Sequence, residues 1–345
     1  MFYDGNKLLS MLDLDGLKPE IYICSSNRNG GKTTWFSKYL VNKFIKNGEK
    51  FCLLYRYKYE LDSISDKFFK GIQSIFFENY EMTEKKLAKG AIVELYLNEI
   101  SCGYATSLSC ANQIKKNSHL LSDVKRMMFD EFQSENNDYW GDEISRFMSI
   151  HTSIARGEGK QVRYVPIFMI SNPVSILNPY FTEMEIGKRL KKDTKFLKGK
   201  GYVLEQNFNE SASKANLESR FNIAFSKSKY LEYSANSTYL NDNVAFIENL
   251  QGKNSYVCTI RYKGKDYGIR QFNELGLMYV DENVDYCYPI KICTTTSDHS
   301  INFVMLNKSE FIVTNFRFLF ERGCFRFKNL NCKEALIETI AYRTK

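Results

Sequence analysis

Short apolar runs punctuate the first half of the chain at intervals that suit buried strands. Ile21–Cys24, Phe51–Tyr55, Arg126–Phe129 and Val162–Ile170 have the texture of parallel strands covered on both faces. Pro166 weakens the start of the fourth run, because proline has no N–H to donate to a ladder. Between the first two runs, Phe36, Leu40 and Phe44 recur every fourth residue, predicting a helix over 32–46 that ends at Gly48. Strand, helix and strand in that order predict a parallel sheet with a right-handed crossover. Ile144, Phe147, Met148, Ile150 and Ile154 mark an amphipathic helix over 141–156, and 91–108 reads as a β-hairpin.

The texture shifts after residue 187. Seven basic residues (Lys188, Arg189, Lys191, Lys192, Lys195, Lys198 and Lys200) accompany one acid, Asp193, and 205–220 is rich in Asn, Ser and Glu. A linker is expected here. Alternation returns from about 240, with Ser255–Tyr262, a Lys-Gly-Lys-Asp turn, Tyr267–Phe272 and Leu277–Val280 predicting a β-meander. Ala335, Leu336, Ile340 and Ala341 predict a terminal helix over 333–342. At 345 residues the chain has room for two domains, expected at 1–195 and 236–345 with 196–235 between them.

Composition narrows the class. Apolar residues at 43% and charged residues at 26% exclude a disordered or fibrous chain. The net charge of +8, from 48 basic and 40 acidic residues, is compatible with a polyanionic partner and equally with a solvated basic face. Nine scattered cysteines and three separate histidines (His119, His151, His299) form no zinc spacing, which points to free thiols in a reducing cytoplasm. The N-terminus lacks a signal-peptide core and no run reaches membrane-spanning length, so no membrane association is expected.

Candidate chemistry begins at the end of the first run. Ser26, Asn27, Arg28, Asn29, Gly30, Gly31, Lys32, Thr33 and Thr34 read as a phosphate-binding P-loop between a strand and a helix. In that motif successive backbone N–H groups surround the phosphates, the lysine reaches the β- and γ-phosphates, and the hydroxyl takes Mg²⁺. Ser26 stands where the motif has its first glycine, so it must tolerate the loop's backbone angles or shift them. About a hundred residues on, Met127-Met128-Phe129 leads into Asp130 and Glu131. Asp130 is placed to hold Mg²⁺ and Glu131 to orient or deprotonate water, a pairing that suits ATP hydrolysis rather than a small-molecule kinase. Asn172, at the end of the fourth run, is a sensor of the γ-phosphate or a turn initiator before Pro173. Arg28 lies inside the loop and can lean over the phosphates. Arg156 is a candidate arginine finger reaching a neighbouring subunit, or a solvated cation at a helix C-terminus. Arg146 is a second candidate on the same helix.

These motifs line up with a family. Lys43-Phe44-Ile45-Lys46-Asn47-Gly48-Glu49-Lys50-Phe51, then Tyr55-Arg56-Tyr57-Lys58-Tyr59-Glu60-Leu61, resembles the stretch after the P-loop in the phi29-type phage DNA-packaging ATPases. So do Phe129-Asp130-Glu131-Phe132, Ser171-Asn172 with Asn178-Pro179-Tyr180-Phe181, Gly276-Leu277-Met278-Tyr279-Val280 and Ile340-Ala341-Tyr342. The resemblance implies an α/β fold: an additional-strand (ASCE) P-loop ATPase domain with a parallel sheet, a linker, and a smaller α+β domain resembling RNase H. It implies ATP and Mg²⁺ as ligands, with Lys32 and Thr33 in Walker A, Asp130 and Glu131 in Walker B, and Arg156 acting in trans. It places Arg56 and Lys58 beside the nucleotide. It further implies a homopentameric ring on the portal of an empty phage head in the host cytoplasm, driving double-stranded DNA inward, with a structural packaging RNA as a further partner.

The presumed first strand of the second domain, Tyr256–Arg261, carries no acid, and Asp266, Asp281, Glu282 and Asp285 fall at turns. A two-metal nuclease needs convergent carboxylates, so a binding module without cutting chemistry is expected. Arg317, Arg322, Arg326 and Lys328 alternate with Phe316, Phe318, Phe325 and Phe327, a pattern that suits RNA or head contact and equally a packed core. Two other readings remain: a terminase with an active nuclease, and a non-hydrolysing scaffold.

Overall fold

A computed structural model describes residues 3–340, apart from 136–137, 158, 160, 175–177, 187–188, 191–193, 225–245 and 308. Lys188, Lys191, Lys192 and Asp193 of the basic stretch, part of the expected linker, and Ala341 and Tyr342 of the expected terminal helix lie outside the described residues. The chain divides into two compact units, one of Met1–Met184 and Arg189–Asn241, the other of Glu185–Lys188 and Asp242–Lys345.

In the larger unit the apolar runs become strands of one sheet. They are β1 (Ile21–Ser26), β2 (Lys50–Tyr55), β3 (Met82–Leu87), β4 (Ile92–Leu97), β5 (Ile100–Ser107), β6 (Val124–Asp130), β7 (Ile167–Ser171), β8 (Phe196–Gly199) and β9 (Tyr202–Asn207), in the order β3-β4-β5-β2-β6-β7-β1-β9-β8. The six from β5 to β9 are parallel; β4 and β8 flank them antiparallel, and β3 pairs antiparallel with β4 at the edge. β1 and β7 are buried along nearly their whole length, as strands covered on both faces must be. β7 lies between β1 and β6, which is the additional strand the resemblance implies. It begins only after Pro166, whose carbonyl still accepts from Met127 N–H at 2.9 Å. The helix Lys32–Asn47 follows β1 and stops at Gly48, which takes φ +66° and returns its N–H to the Phe44 carbonyl, a left-handed stop that glycine adopts without strain. β4 and β5 form the expected hairpin. Strand β3 escapes sequence reading because its half-buried Glu84 and exposed Lys85 and Lys86 give no apolar alternation; charge on an edge strand guards against further pairing.

The expected linker from 196 is corrected. Lys198 and its neighbours form β8, and β9 runs parallel to β1 from Ile21↔Tyr202 to Ser26↔Asn207. Tyr202, Val203 and Leu204 are buried there, and this short apolar core outweighs the basic composition around it. The polar residues that follow form the helices Glu210–Glu218 and Arg220–Ala224.

The smaller unit holds β10 (Ser255–Tyr262), β11 (Lys265–Phe272), β12 (Leu277–Asp281), β13 (Lys291–Cys293), β14 (Val304–Met305) and β15 (Phe325–Phe327), ordered β14-β13-β10-β11-β12-β15. The antiparallel meander β10-β11-β12 turns at Lys263 (φ +50°) and Gly264 (φ +71°), the left-handed pair of a tight hairpin. Parallel β13 and β14 extend it beside β10, completing the RNase H-like order. The helices Phe311–Glu321 and Leu330–Ile340 pack on this sheet around Phe316, Phe325, Phe327 and Leu336.

Candidate nucleotide-binding site

The parallel strands end together, so Ser26, Asp130, Ser171 and Asn207 share one edge of the sheet, where such folds bind ligands. β1 keeps its ladder to Asn207 through Ser26. The chain then turns through Asn29 (φ +60°) and Gly31 (φ +85°) into the helix Lys32–Asn47. Ser26 is therefore extended strand and needs no glycine. The tight place is Gly30, where an added Cβ would lie 3.3 Å from both the Asn27 carbonyl oxygen and Ser26 Oγ. Lys32 is buried, and its Nζ donates to Asn172 Oδ1 (2.8 Å), the Ser26 carbonyl (3.1 Å) and the Asn27 carbonyl (3.5 Å). Burial is the main influence on this ammonium and lowers its pKa. Asn172 thus belongs to the loop's own hydrogen-bond network, beyond any part in a turn.

Across the cleft Asp130 ends β6 and accepts a hydrogen bond from the Thr33 side chain. Burial first, and the neighbouring Glu131 second, push Asp130 up to about 6. Glu131 takes φ +54°, a left-handed angle that costs a residue with a side chain roughly 1–2 kcal/mol. Arg56 holds this turn from behind: Nη1 donates to the Glu131 carbonyl (3.3 Å) and Nη2 to the Phe132 carbonyl (2.6 Å). Its Nε bonds to Glu143 Oε1 at 3.1 Å, in a pair whose side chains are 8% and 1% exposed. Glu143 also accepts from Tyr180 Oη (2.9 Å) and Trp140 N–H (3.0 Å). The planar guanidinium fork suits this set of acceptors, which a lysine would not. Arg56, which the resemblance sets beside the nucleotide, borders the cleft through the Glu131 turn, with its donors directed inward to Glu143 and two carbonyls. Lys58 Nζ donates to the Lys89 carbonyl at 3.0 Å and lines a separate hollow.

A cleft of about 430 Å³ gathers Arg28, Asn29, Gly30, Gly31, Lys32, Thr33, Thr34, Asp130, Glu131, Ser171 and Asn172. Its parts fit a nucleoside triphosphate with Mg²⁺: a helix N-terminus for anionic oxygens, a buried lysine, a hydroxyl–carboxylate pair, and a loop packed tightly at Gly30. Ser26 and Asn27 stand behind the loop rather than in the cleft. Arg28 pairs with Glu135. Arg156, exposed beyond the helix Glu143–Ile154, lines a different hollow with Met148 and Glu183. Arg146 bonds Asp142 at 2.6 Å and lies over Trp140.

A family model for the podovirus DNA encapsidation protein (Gp16) matches residues 1–344. The chain belongs to that family. The DNA packaging proteins of Bacillus phages phi29 and B103 are 27% and 26% identical to it, over 99% and 91% of this chain and 96% and 93% of theirs. Among solved structures, a chain of the bacteriophage Phi-29 viral genome packaging motor assembly is similar with a TM-score of 0.63 at 24% identity, covering 98% of this chain and 99% of that one. The Phi-28 gp11 DNA packaging motor gives 0.64 at 17% identity, over 100% and 99%. Likeness of fold therefore runs along the chain's length.

In this Gp16-family chain the second unit's acids serve its own architecture. Asp266 pairs with Arg261, Asp281 with Arg270 and Glu282 with Lys328, while Asp298 receives the turn N–H groups of Lys263 and Gly264. Among the described residues no group of three or more metal-ligating side chains converges. Of the Phe/Arg alternation, Phe316, Phe325 and Phe327 are core and Arg317 donates to the Ile340 carbonyl; Phe318 stays half exposed, under Arg322. No helix among the described residues is long and apolar enough to cross a membrane. Sequence reading missed Tyr3, Glu135, Asn209 and Asn216, which surround the loop from distant segments. The run of asparagines at 207, 209, 216 and 222 was the available signal.

Proposed function

We propose that the chain is the ATP-hydrolysing subunit of a motor that drives double-stranded viral DNA into a preformed phage head. The observation that carries this reading is the convergence of Lys32, Thr33, Asp130, Glu131 and Asn172 on one cleft in a chain of a DNA-encapsidation family. The phosphates would bind against the N–H groups of 27–34 and the helix N-terminus. Lys32 would exchange its bonds to the Ser26 and Asn27 carbonyls and Asn172 Oδ1 for phosphate oxygens. Mg²⁺, held by Thr33 and Asp130, would neutralise charge on the β- and γ-phosphates. Glu131 orients the attacking water and takes its proton as the γ-phosphoryl bond to the leaving oxygen breaks. Asn172, released by Lys32, is placed to contact the γ-phosphate or that water.

Arg156 lies outside its own cleft, which is what a finger supplied to a neighbouring subunit requires; a homopentameric ring would present it there. DNA is held through its phosphates, since packaging must ignore sequence, and binding then weakens steeply with salt. The portal of the empty head and a packaging RNA are the further proposed partners, in the host cytoplasm. The test is ATP turnover with and without duplex DNA and empty heads, for the native chain and Glu131→Gln. Nucleotide binding retained with turnover reduced at least a hundredfold is the expected result. Turnover undiminished in Glu131→Gln would remove the hydrolytic assignment.

A further inference from the structure

The phosphate loop is braced from outside by two segments remote in sequence. The Gly30 carbonyl accepts from Tyr3 N–H (3.0 Å) and from Asn209 Nδ2 (3.4 Å). A trans peptide is planar, with its N–H opposite its carbonyl. Drawing the Gly30 oxygen outward therefore fixes the Gly31 N–H on the opposite side of the loop, and Gly31 lines the cleft. Tyr3 is itself anchored, its hydroxyl donating to Glu205 Oε2 of β9 at 2.6 Å.

Asn209 is locked just as firmly. Asn27, fully buried, accepts from Asn209 N–H through Oδ1 (2.9 Å) and donates to the Asn209 carbonyl through Nδ2 (3.0 Å). Asn209 Oδ1 meanwhile accepts from Ala212 N–H (3.0 Å) and caps the helix Glu210–Glu218. A second link runs from Asn29 Nδ2 to Asn216 Oδ1 at 2.9 Å. One asparagine side chain in the loop thus grips the backbone of another, whose side chain reaches back to the loop and to a helix N-terminus.

We propose that Asn209, held by the buried Asn27 side chain, is a positioning residue that pre-aims the phosphate loop's N–H groups, a role that rests on the nucleotide-binding reading of the cleft. It acts through backbone orientation and touches no phosphate itself. The brace lowers the reorganisation needed on binding, so its loss weakens affinity for any nucleotide with a β-phosphate and leaves the chemical step alone. KM then rises while kcat holds.

Two variants separate this from a merely structural role. Asn209→Ser keeps an equally ranked cap and stays neutral, but its hydroxyl is too short to reach Gly30. Asn27→Ala removes both clamp bonds. Titrating each full-length protein with Mg·ATP and Mg·ADP by calorimetry, and measuring its Tm without nucleotide, gives the readout. The expected order of affinity is native, then Asn209→Ser weaker by ~3-fold, then Asn27→Ala weaker by ~10-fold or more, following about one net hydrogen bond's worth per contact. If Asn209→Ser binds as tightly as native, or both variants lose Tm with unchanged affinity, the brace is structural only and the proposal is overturned. Should Asn27→Ala fail to fold, Asn209→Ser still decides. Native protein that binds neither nucleotide would instead refute the nucleotide-binding reading, and this role with it.

Discussion

Replacing Arg56 with methionine tests how the acidic turn after β6 is held. Methionine fills a similar slot but leaves the Glu143 carboxylate, 1% exposed, without its counter-ion, and the Glu131 and Phe132 carbonyls without donors. Breaking a buried pair from one side costs about 3–5 kcal/mol, against about 1 kcal/mol or less for an exposed pair. Adding Glu143→Gln removes the stranded charge, keeps a carbonyl oxygen for Trp140 N–H and turns the amide NH2 toward Tyr180 Oη, which can accept, so the double variant is expected to recover about 2 kcal/mol of that loss. Both tryptophans, Trp35 and Trp140, lie in the larger unit, so urea unfolding followed by tryptophan fluorescence reads that unit. The pH dependence has a defined sign. Burial already raises the Glu143 pKa, and removing Arg56 raises it further. A carboxyl with a raised folded-state pKa carries no penalty below its unfolded pKa, and the penalty grows as pH climbs through the folded value. The Arg56→Met deficit should therefore be smaller at pH 5 than at pH 8. A loss under ~1 kcal/mol, no relief from glutamine, or a deficit that grows on acidification would refute the buried-pair account. ATP turnover should stay low even in the double variant, because the Glu131 turn has lost its restraint.

The Asp130 carboxyl has its own pH signature. With Asp130 pushed up to about 6, its contribution to stability is full below the unfolded pKa and is lost as pH rises through about 6. Metal-free protein should accordingly lose Tm between pH 5 and 7, with Mg·ATP restoring it, and turnover should fall as acid protonates the carboxylate; a metal-free Tm that rises over that interval would contradict the assignment. Glu131→Gly should stabilise the larger unit by about 0.5–1 kcal/mol, since glycine accepts φ +54° freely, while abolishing hydrolysis; a lower urea midpoint would argue against strain there. Ser26→Gly should leave ATP affinity within about twofold, because Ser26 is extended strand; a tenfold gain in calorimetric affinity would show that the serine does distort the loop.

Apolar patterning along the chain was enough for the helix Lys32–Asn47, the strand before Asp130 and the meander of the second unit. Each of these is local: apolar residues at period two or four, or glycine at a forced angle, bury or turn the same way whatever lies far off. β9 was not legible, since a three-residue apolar core inside a basic and polar stretch looks like a linker until a parallel neighbour, β1, is there to pair with it. Roles diverged from residue types for the same reason. The resemblance sets Arg56 beside the nucleotide, and only the folded neighbourhood of Glu143 and two carbonyls shows it as an internal brace.

Which residues could carry phosphate and water chemistry was legible along the chain, because that capacity is written in side-chain type and short spacing. The tertiary structure alone decided which of them meet. It brought Asn172 to Lys32, stationed Arg156 away from its own cleft, and set Asn209 against the loop from roughly 180 residues away. Those pairings depend on strand order, and strand order is settled by which apolar faces bury one another across the whole sheet, a property no window of sequence contains.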